Sequence, residues 1–221
     1  MMSFSYSRQG AHPTPRREVL PSVQHANSSA KQFHLATLLS LLRSGEQSAV
    51  VAFTRILRRL SRGEHSLAWP ELALIIEDET RHDQMLADHA ITLPAVTGGD
   101  VQTRRFFRSL ETRDSKVHLA RVAALDSCVC QVLTRTLARA TVESLSGSLP
   151  TLLRGIRADE ARHVRTSRAL ARALGADTQL LRVINLEVRQ GFAALLATRA
   201  PSFEALGVDC EVLLATIRRG H

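Results

Sequence analysis

The sequence predicts an all-α protein of one domain. Aromatic residues make up 4% of the 221 residues, whereas alanine, leucine and arginine are abundant, and this composition favours helices over strands. Apolar side chains recur at intervals of three and four residues along four segments, which is the period of a helix with one buried face. No stretch shows the alternation of a strand, and the 44% hydrophobic content suffices for a core.

Short breaks rich in glycine, proline and serine separate the four segments. They are expected at 61–63, 94–99, 146–150, 175 and 201. A short helix is expected before the third long helix and one or two helices after the fourth, at about 100–112, 177–198 and 202–219. The predicted fold is therefore an antiparallel four-helix bundle with one or two extra C-terminal helices.

The chain is predicted to divide into a tail and a helical domain. Residues 1–30 contain Pro13, Pro15 and Pro21 together with several serines, and no period is sustained there, so they are expected to form a flexible tail. Residues 31–221 are expected to form the helical domain. Pro70 suits the first turn of the second long helix, where no backbone N–H is needed.

An acidic residue interrupts the apolar stripe of each long helix. These four residues are Glu46, Glu79, Asp126 and Glu160. A lone carboxylate in a helical core is costly, because the charge loses its hydration, unless it is paired or bound to a metal. The pattern therefore indicates a shared polar site inside the bundle.

Two near copies of one motif carry the chemistry of this site. Residues 78–82 read Asp-Glu-Thr-Arg-His, and residues 159–163 read Asp-Glu-Ala-Arg-His. Glutamate and histidine three residues apart share one helix face, so each pair can bind a metal ion, and two facing helices can hold two ions. A single Glu-x-x-His is usually a surface pair. Two copies on apolar stripes, with the same flanking residues, favour the metal interpretation.

The intervals between the acidic residues match helical hairpins. Glu46 and Glu79 are 33 residues apart, with their midpoint at the Gly63 break, and Asp126 and Glu160 are 34 apart. The second midpoint lies near residue 143, a few residues before the break at 146–150. Glu143 also lies on the third stripe and is a reserve ligand, but Asp126 is preferred because Glu143 is too close to the turn to face Glu160.

The residues that flank each motif suit a supporting role. A metal-bound imidazole usually donates its other N–H to a carboxylate. Because facing helices bring the motifs together, the expected pairs are Asp78 with His163 and Asp159 with His82. Arg81 and Arg162 are expected either to neutralise these aspartates or to be solvated surface residues.

The paired Asp-Glu-x-Arg-His motifs, each preceded by a helix with one acidic residue, resemble those of the ferritin-like di-iron carboxylate superfamily. They are most similar to the catalytic subunits of bacterial multicomponent monooxygenases, over a layout of roughly residues 35–175. The resemblance implies one iron at Glu46, Glu79 and His82. It implies the second iron at the remaining residues, Asp126, Glu160 and His163, with Glu79 and Glu160 available to bridge.

The resemblance implies a non-haem di-iron oxidase or monooxygenase. Such an enzyme would use dioxygen as co-substrate to oxidise or hydroxylate a small organic molecule, such as one of specialised metabolism. The donor set suits two iron ions and also a mixed manganese–iron pair. Electrons would come from an external ferredoxin or reductase, because no flavin or iron–sulfur motif is visible. Dimers are common in the superfamily, so a homodimer is one assembly that the resemblance implies.

Several positions depart from the family pattern. Position 126 is Asp where many relatives have Glu, and Cys130 stands where many have Thr. The arylamine N-oxygenases of the superfamily have a His at the position of Ile156, which weakens that assignment. The chain is also much shorter than the monooxygenase subunits. The substrate pocket is expected beside the site, at Ala49, Phe53, Cys130 and Val164.

Other functions of the same fold remain alternatives. A ferritin-like protein would store iron, but the acidic inner wall of a ferritin cage does not suit a pI of 10.8. A rubrerythrin-like protein would reduce peroxide, but such proteins often carry Cys-x-x-Cys pairs and this sequence has none. A tRNA hydroxylase would be favoured by the positive charge. A radical generator needs a tyrosine near the irons, and Tyr6 lies in the predicted tail. A non-catalytic scaffold leaves the four buried carboxylates unexplained.

The net charge of +8 is spread along the chain. Of the 29 basic residues only Lys31 and Lys116 are lysine, and no basic tract is interleaved with aromatic residues, which argues against nucleic acid as a partner. The charge suits an acidic redox partner or reflects genome composition. No apolar run reaches the ~20 residues of a membrane span, and three cysteines fit a reducing compartment. We therefore expect a cytoplasmic protein without a membrane partner.

Overall fold

The computed structural model describes residues 22–60, 69–96, 101–139, 145 and 147–220. Within these ranges the protein is all-helical, which confirms the predicted class. The helices are α1 (Ser22–Leu60), α2 (Trp69–Ala90), α3 (Val101–Ser109), α4 (Ser115–Arg139), α5 (Leu149–Ala173), α6 (Thr178–Ala197), α7 (Ala200–Ala205) and α8 (Cys210–Arg219).

The four long helices pack as two pairs. Helix α1 lies along α2 and α4 lies along α5, and the pairs meet where α1 contacts α4 and α2 contacts α5. Side-chain contacts show that α2 and α5 run antiparallel, because Asp78 lies against His163 whereas His82, one turn later, lies against Asp159. This arrangement brings the two sequence motifs face to face.

The shorter helices surround one side of this core. Helices α6 and α8 pack on α4, α7 packs on α1, and α3 contacts both α1 and α6. Phe106 and Phe107 of α3 pack edge to face on each other, and the Phe106 ring also lies 5.6 Å from that of Phe192 on α6. Helix α3 is thereby fixed against α1 and α6.

Two apolar clusters lie along the long helices. On α1, Leu39 belongs to one cluster, whereas Phe53 and Ile56 belong to the other. On α2, Leu86 and Ile75 are divided in the same way. Along α2 the acidic residue falls between the clusters, whereas the larger cluster also includes Leu38 and Leu41 of α1 and Val132 of α4. The core therefore consists of a polar layer surrounded by apolar side chains.

Two helix boundaries differ from the sequence predictions. Helix α1 begins at Ser22, so residues 22–30, which were predicted to belong to the tail, form its first turns. No proline or glycine follows Pro21 until Gly45, so nothing in that segment prevents the helix. The prediction of one helix at 202–219 was wrong, because the chain turns between α7 and α8 at Gly207, whose φ is +80°.

The second hairpin pairs α4 with α5. The described part of α4 ends at Arg139, and α5 begins at Leu149. The midpoint of the interval from Asp126 to Glu160, near residue 143, lies outside the described residues. Glu143 itself lies outside the described residues.

Within the described ranges, one segment, Ser115–Ala138 of α4, is long and apolar enough by composition to cross a membrane. The structure buries 61% of its most apolar 18-residue window inside the protein. The packed helices α5, α6 and α8 cover it. A core helix meets the same criteria of length and composition, and Asp126 lies in the middle of this one.

A buried arginine ties the C-terminal helices to α4. Arg189 on α6 is 2% exposed. Its guanidinium donates to Ile217 O at 2.8 Å, Asn185 Oδ1 at 3.1 Å, Ser127 Oγ at 3.2 Å and Gln131 Oε1 at 3.3 Å. These bonds satisfy a carbonyl of the last turn of α8 and the buried cation itself.

Replacing this arginine should destabilise the fold without touching the polar layer. Arg189→Met leaves four acceptors without their donor, so we expect the free energy of unfolding to fall by roughly 2–4 kcal/mol. Urea denaturation followed by circular dichroism measures the change. The exposed Arg182 on the same helix provides the control, since Arg182→Met should change stability by less than about 0.5 kcal/mol. Equal effects of the two substitutions would contradict the assigned role.

Candidate metal centre

The polar layer gathers the six side chains that the sequence singled out as ligands. Relative exposures are 4% for Glu46, 1% for Glu79, 2% for His82, 4% for Asp126, 3% for Glu160 and 0% for His163. Each of the four long helices contributes at least one of them, because each acidic residue lies on its helix's apolar stripe. Such burial of four carboxylates in one layer requires compensation.

The donor atoms of these six residues form two overlapping groups. Within each group, one donor atom per residue lies within 4.8 Å of every other. Glu160 belongs to both groups and therefore stands between them. The first group consists of Glu46, Glu79, His82 and Glu160, and the second of Asp126, Glu160 and His163.

Both imidazoles present the same nitrogen to the carboxylates. Nδ1 of His82 lies 3.2 Å from Glu46 Oε2 and 4.0 Å from Glu160 Oε1. Nδ1 of His163 lies 3.0 Å from Glu79 Oε1 and 3.7 Å from Glu160 Oε2. Each histidine therefore approaches a glutamate of a neighbouring helix as well as Glu160.

The other nitrogen of each imidazole contacts an aspartate of the facing helix. Nε2 of His82 lies 3.1 Å from Asp159 Oδ2, and Nε2 of His163 lies 3.3 Å from Asp78 Oδ2. These are the two cross-helix contacts expected from the sequence. An ionised carboxylate only accepts hydrogen bonds, so each Nε2 must donate its proton there. In the neutral imidazole the Nδ1 lone pair then points at the carboxylate cluster, as metal binding requires.

Two arginines complete a closed ring with the aspartates. Arg81 Nη2 lies 2.6 Å from Asp78 Oδ1 and donates to Asp159 Oδ2 at 2.9 Å. Arg162 Nη2 donates to Asp78 Oδ2 at 2.5 Å and to Asp159 Oδ1 at 2.9 Å. Each arginine thus joins the aspartate of its own helix to that of the other. The two positive charges balance the two aspartates, which are expected to stay ionised.

The pKa values of the aspartates follow from this ring. Burial raises the pKa of Asp78, but hydrogen bonds from Arg162, His163 and Arg81 outweigh burial and lower the pKa to about 2. The pKa of Asp159 is lowered in the same way, because hydrogen bonds from Arg162 and His82 exceed the effect of burial. Both carboxylates are therefore ionised acceptors near neutral pH.

The carboxylates inside the cluster behave in the opposite way. Burial raises the pKa of Glu79 well above its usual range, and the charges of Glu160 and Glu46 raise it further. Burial likewise raises the pKa of Asp126, with a further contribution from Glu160. The pKa of Glu160 is also raised by burial, although the neighbouring His163 imidazole opposes the rise. Without a cation the cluster therefore favours bound protons.

His82 shows the same tendency to hold a proton. Burial lowers the pKa of its imidazole, but hydrogen bonds with Glu46 and Asp159 and the charges of Glu46 and Glu160 outweigh burial, so the pKa is raised. A metal ion that binds Nδ1 must displace such a proton. The cluster is consequently a site at which metal binding and proton release are coupled.

Three polar atoms of the cluster form no hydrogen bond of good geometry among the described residues, although two of them, Glu79 Oε1 and His163 Nδ1, lie 3.0 Å apart. They are Oε1 of Glu79, Oδ2 of Asp126 and Nδ1 of His163. Buried polar atoms without a partner are rare in proteins, and a bound ion is one explanation for such atoms. All three belong to residues expected to be metal ligands, and they are lone-pair donors in the protonation state that binds a metal.

The composition of the cluster fits two divalent ions. Four carboxylates carry four negative charges when ionised, and two divalent cations carry four positive charges, so the filled layer would be neutral. Carboxylate oxygen and imidazole nitrogen suit iron, manganese and zinc. Cys130 is not in either donor group, and burial raises the pKa of its thiol to about 12, so it remains protonated.

The structure divides the residues predicted to form the pocket. Ala49 borders a cavity of about 840 Å³ between α1, α3, α4 and α7. Phe53 is fully buried in the apolar cluster. Cys130 and Val164 are half-buried, and neither lines that cavity. The thiol of Cys130 instead lies 3.7 Å from Arg157 O, where it donates to the backbone of α5.

Two buried polar residues were not anticipated from the sequence. His118 is 1% exposed, lines the same cavity, and its Nδ1 has no partner among the described residues. Ser167, one turn after His163, is fully buried, and its hydroxyl has no described partner either. The sequence signal for each is a polar residue next to apolar positions: His118 precedes Leu119 on α4, and Ser167 interrupts the apolar stripe of α5.

Comparisons of the chain with protein-family models, curated proteins and solved structures found no match. The grounds for a function are therefore the geometry of the chain itself. They comprise the two donor groups, their burial among apolar side chains, and the ring of aspartates and arginines that orients the histidines.

Removing one aspartate of the ring should weaken metal binding. Asp78→Asn keeps the size of the side chain but removes the charge that orients His163, so we expect the affinity for Fe(II) or Mn(II) to fall about 10–100-fold. Anaerobic titration with a competing chelator measures the affinity. Asp83→Asn is the matched control, because Asp83 lies on the same helix and bonds Arg43 and Gln47 outside the cluster. Equal affinities of the two variants would refute the orienting role.

Metal binding should depend on pH with a definite sign. The raised pKa values of Glu79, Asp126, Glu160 and His82 mean that the metal-free site holds protons that a cation must displace. Affinity should therefore rise with pH, by about tenfold per pH unit for each proton released. Calorimetric titration with Mn(II) in two buffers of different ionisation enthalpy counts these protons. A result of no released protons would show that the cluster is already deprotonated.

Proposed function

We propose that this protein is a non-haem di-iron oxidoreductase with a ferritin-like four-helix bundle. In this proposal it uses dioxygen to oxidise or hydroxylate a small organic substrate. The observation that carries the proposal is the pairing of two donor groups through Glu160, each with an imidazole whose Nδ1 faces the carboxylates. A two-metal centre needs such a shared carboxylate, and a single structural ion does not.

The residues of the chain have distinct tasks in this proposal. Glu46, Glu79 and His82 would hold one ion, and Asp126, Glu160 and His163 the other, with Glu79 and Glu160 available to bridge. The ring of Asp78, Asp159, Arg81 and Arg162 holds the imidazoles in the tautomer that binds metal. The surrounding apolar clusters exclude water from the layer.

Two bound iron ions, once reduced, would supply electrons to dioxygen. In a hydroxylation, one oxygen atom would enter the substrate and the other would leave as water, with two protons and two electrons from outside the chain. A ferredoxin or reductase is the proposed electron donor, and the net charge of +8 would assist the docking of an acidic protein. A manganese–iron pair would use the same ligands.

The remaining parts of the proposal concern the protein's surroundings. We place it in the cytoplasm, without a membrane partner, and with nucleic acid as a less favoured partner than a small molecule. A homodimer is the proposed assembly. Iron storage or peroxide reduction would use the same donor set. Hydroxylation of tRNA would use the same centre together with the basic surface. The cavity beside α1 and α4 favours a small organic substrate over these alternatives.

Iron loading is the decisive test of this function. Anaerobic addition of Fe(II), followed by desalting and elemental analysis, should give about two irons per chain, since the six ligands form two groups. Exposure to oxygen should then produce a transient visible absorption band. His163→Ala should lose most of one iron while its helical circular dichroism stays unchanged.

The outcomes of this experiment separate the candidate functions. An absence of stoichiometric metal would leave the motifs as structural pairs, and the proposal would fail. Iron that oxidises and accumulates as a mineral core would favour storage, and rapid consumption of peroxide by the reduced protein would favour a rubrerythrin-like activity. RNA that copurifies with the loaded protein would favour tRNA hydroxylation. The Asp83→Asn variant should load like the wild type.

A further inference from the structure

The cavity of about 840 Å³ is lined by residues of α1, α3, α4 and α7. Its volume is in the range of small-molecule sites. The Phe107 ring of α3 forms one wall and lies close to the backbone of α1, since a Cβ placed on Gly45 would lie 3.6 Å from it. Gly45 directly precedes Glu46, so Phe107 contacts α1 at the level of that candidate ligand.

The inner end of the cavity lies within one helical turn of two candidate ligands. Ala49 follows Glu46 by three residues, and Val122 precedes Asp126 by four, so each shares a helix face with its ligand. Leu125 also lines this end. The side chains here are apolar, and Ala49 is small.

The outer end of the cavity is positively charged. Arg104 and Arg108 lie one turn apart on α3, and both line the cavity. Both are exposed, and neither forms an ion pair within the described ranges. Glu111 is the one acidic residue among the described lining residues, and it is already paired with Arg55. An anion at this end would therefore meet two cations without a competing carboxylate.

A buried nitrogen adds a polar contact inside the cavity. His118 lines the cavity at 1% exposure, and its Nδ1 has no hydrogen-bond partner among the described residues. Burial, with a contribution from the nearby Arg59 charge, lowers the pKa of this imidazole to about 4, so it is neutral near pH 7. An unpartnered buried nitrogen is unfavourable unless a ligand or water bonds to it.

We infer that this cavity binds the organic substrate and that the substrate is a mostly apolar carboxylic acid. Its carboxylate lies at Arg104 and Arg108, and its apolar body extends past Phe107 towards Ala49 and Val122. The inference rests on the proposed function, because that function supplies the reaction at the inner end. The binding site itself depends only on the residues that line the cavity and not on that function.

Binding of a model acid tests the charge preference. The probes are 6-phenylhexanoate and its neutral amide, 6-phenylhexanamide, titrated by calorimetry into the metal-free protein. The acid should bind roughly tenfold more tightly than the amide, and Arg104→Gln or Arg108→Gln should remove that advantage. Arg105→Gln is the matched control, because Arg105 lies on the same helix outside the cavity and should leave both affinities unchanged.

A second measurement tests the direction of the bound acid. In protein loaded with Mn(II), nuclear spins near the metal relax faster, so phenyl protons should broaden more than the methylene protons next to the carboxylate. The same acid in the metal-free protein gives the reference line widths. Broadening confined to the carboxylate end, or none at all, would overturn the orientation.

The results distinguish failure of this inference from failure of the proposed function. Equal binding of acid and amide, or an effect of Arg105→Gln equal to that of Arg104→Gln, would overturn the inference even if the protein holds two irons. Arginine-dependent binding of the acid by a protein that takes up no metal would refute the oxidoreductase proposal. It would support the assignment of the cavity as an acid-binding site.

Discussion

Four carboxylates share one layer of an apolar core, and two histidines alone cannot balance four negative charges. Glu46, Glu79, Asp126 and Glu160 are all nearly inaccessible to water. The layer must therefore take up protons or cations, and the raised pKa values of three of these groups express that requirement. Each long helix must therefore be placed so that its acidic residue lies in this layer.

The surroundings of the layer keep it both dry and ordered. Apolar clusters surround it, and the ring of aspartates and arginines fixes the histidines from the side. The two aspartates of the ring stay ionised because two guanidinium groups pair with them. Within the described ranges, the carboxylates of the metal centre have no arginine partner. They therefore favour bound protons, although they lie close to the ionised aspartates.

The residues of the centre could be predicted because they obey local rules. Glu79 and His82 lie one turn apart whatever the rest of the fold does, and the facing copy follows from the repeated motif. The break at Gly207 was missed because glycine in an otherwise helical pattern is also tolerated within helices. The cavity was not foreseen, because it depends on where α3 crosses α1, and that crossing comes from packing between elements distant in sequence.

The antiparallel pairing of α2 and α5 relates the two motifs by a local two-fold axis, but their neighbours break this symmetry. Helix α1 contributes a glutamate, whereas α4 contributes the shorter Asp126, and the donor groups contain four and three residues. Two ions held there would be chemically inequivalent, with different affinities and different rates of exchange. Such a pair could fill in a fixed order, and it offers two different metals separate preferred positions within one centre.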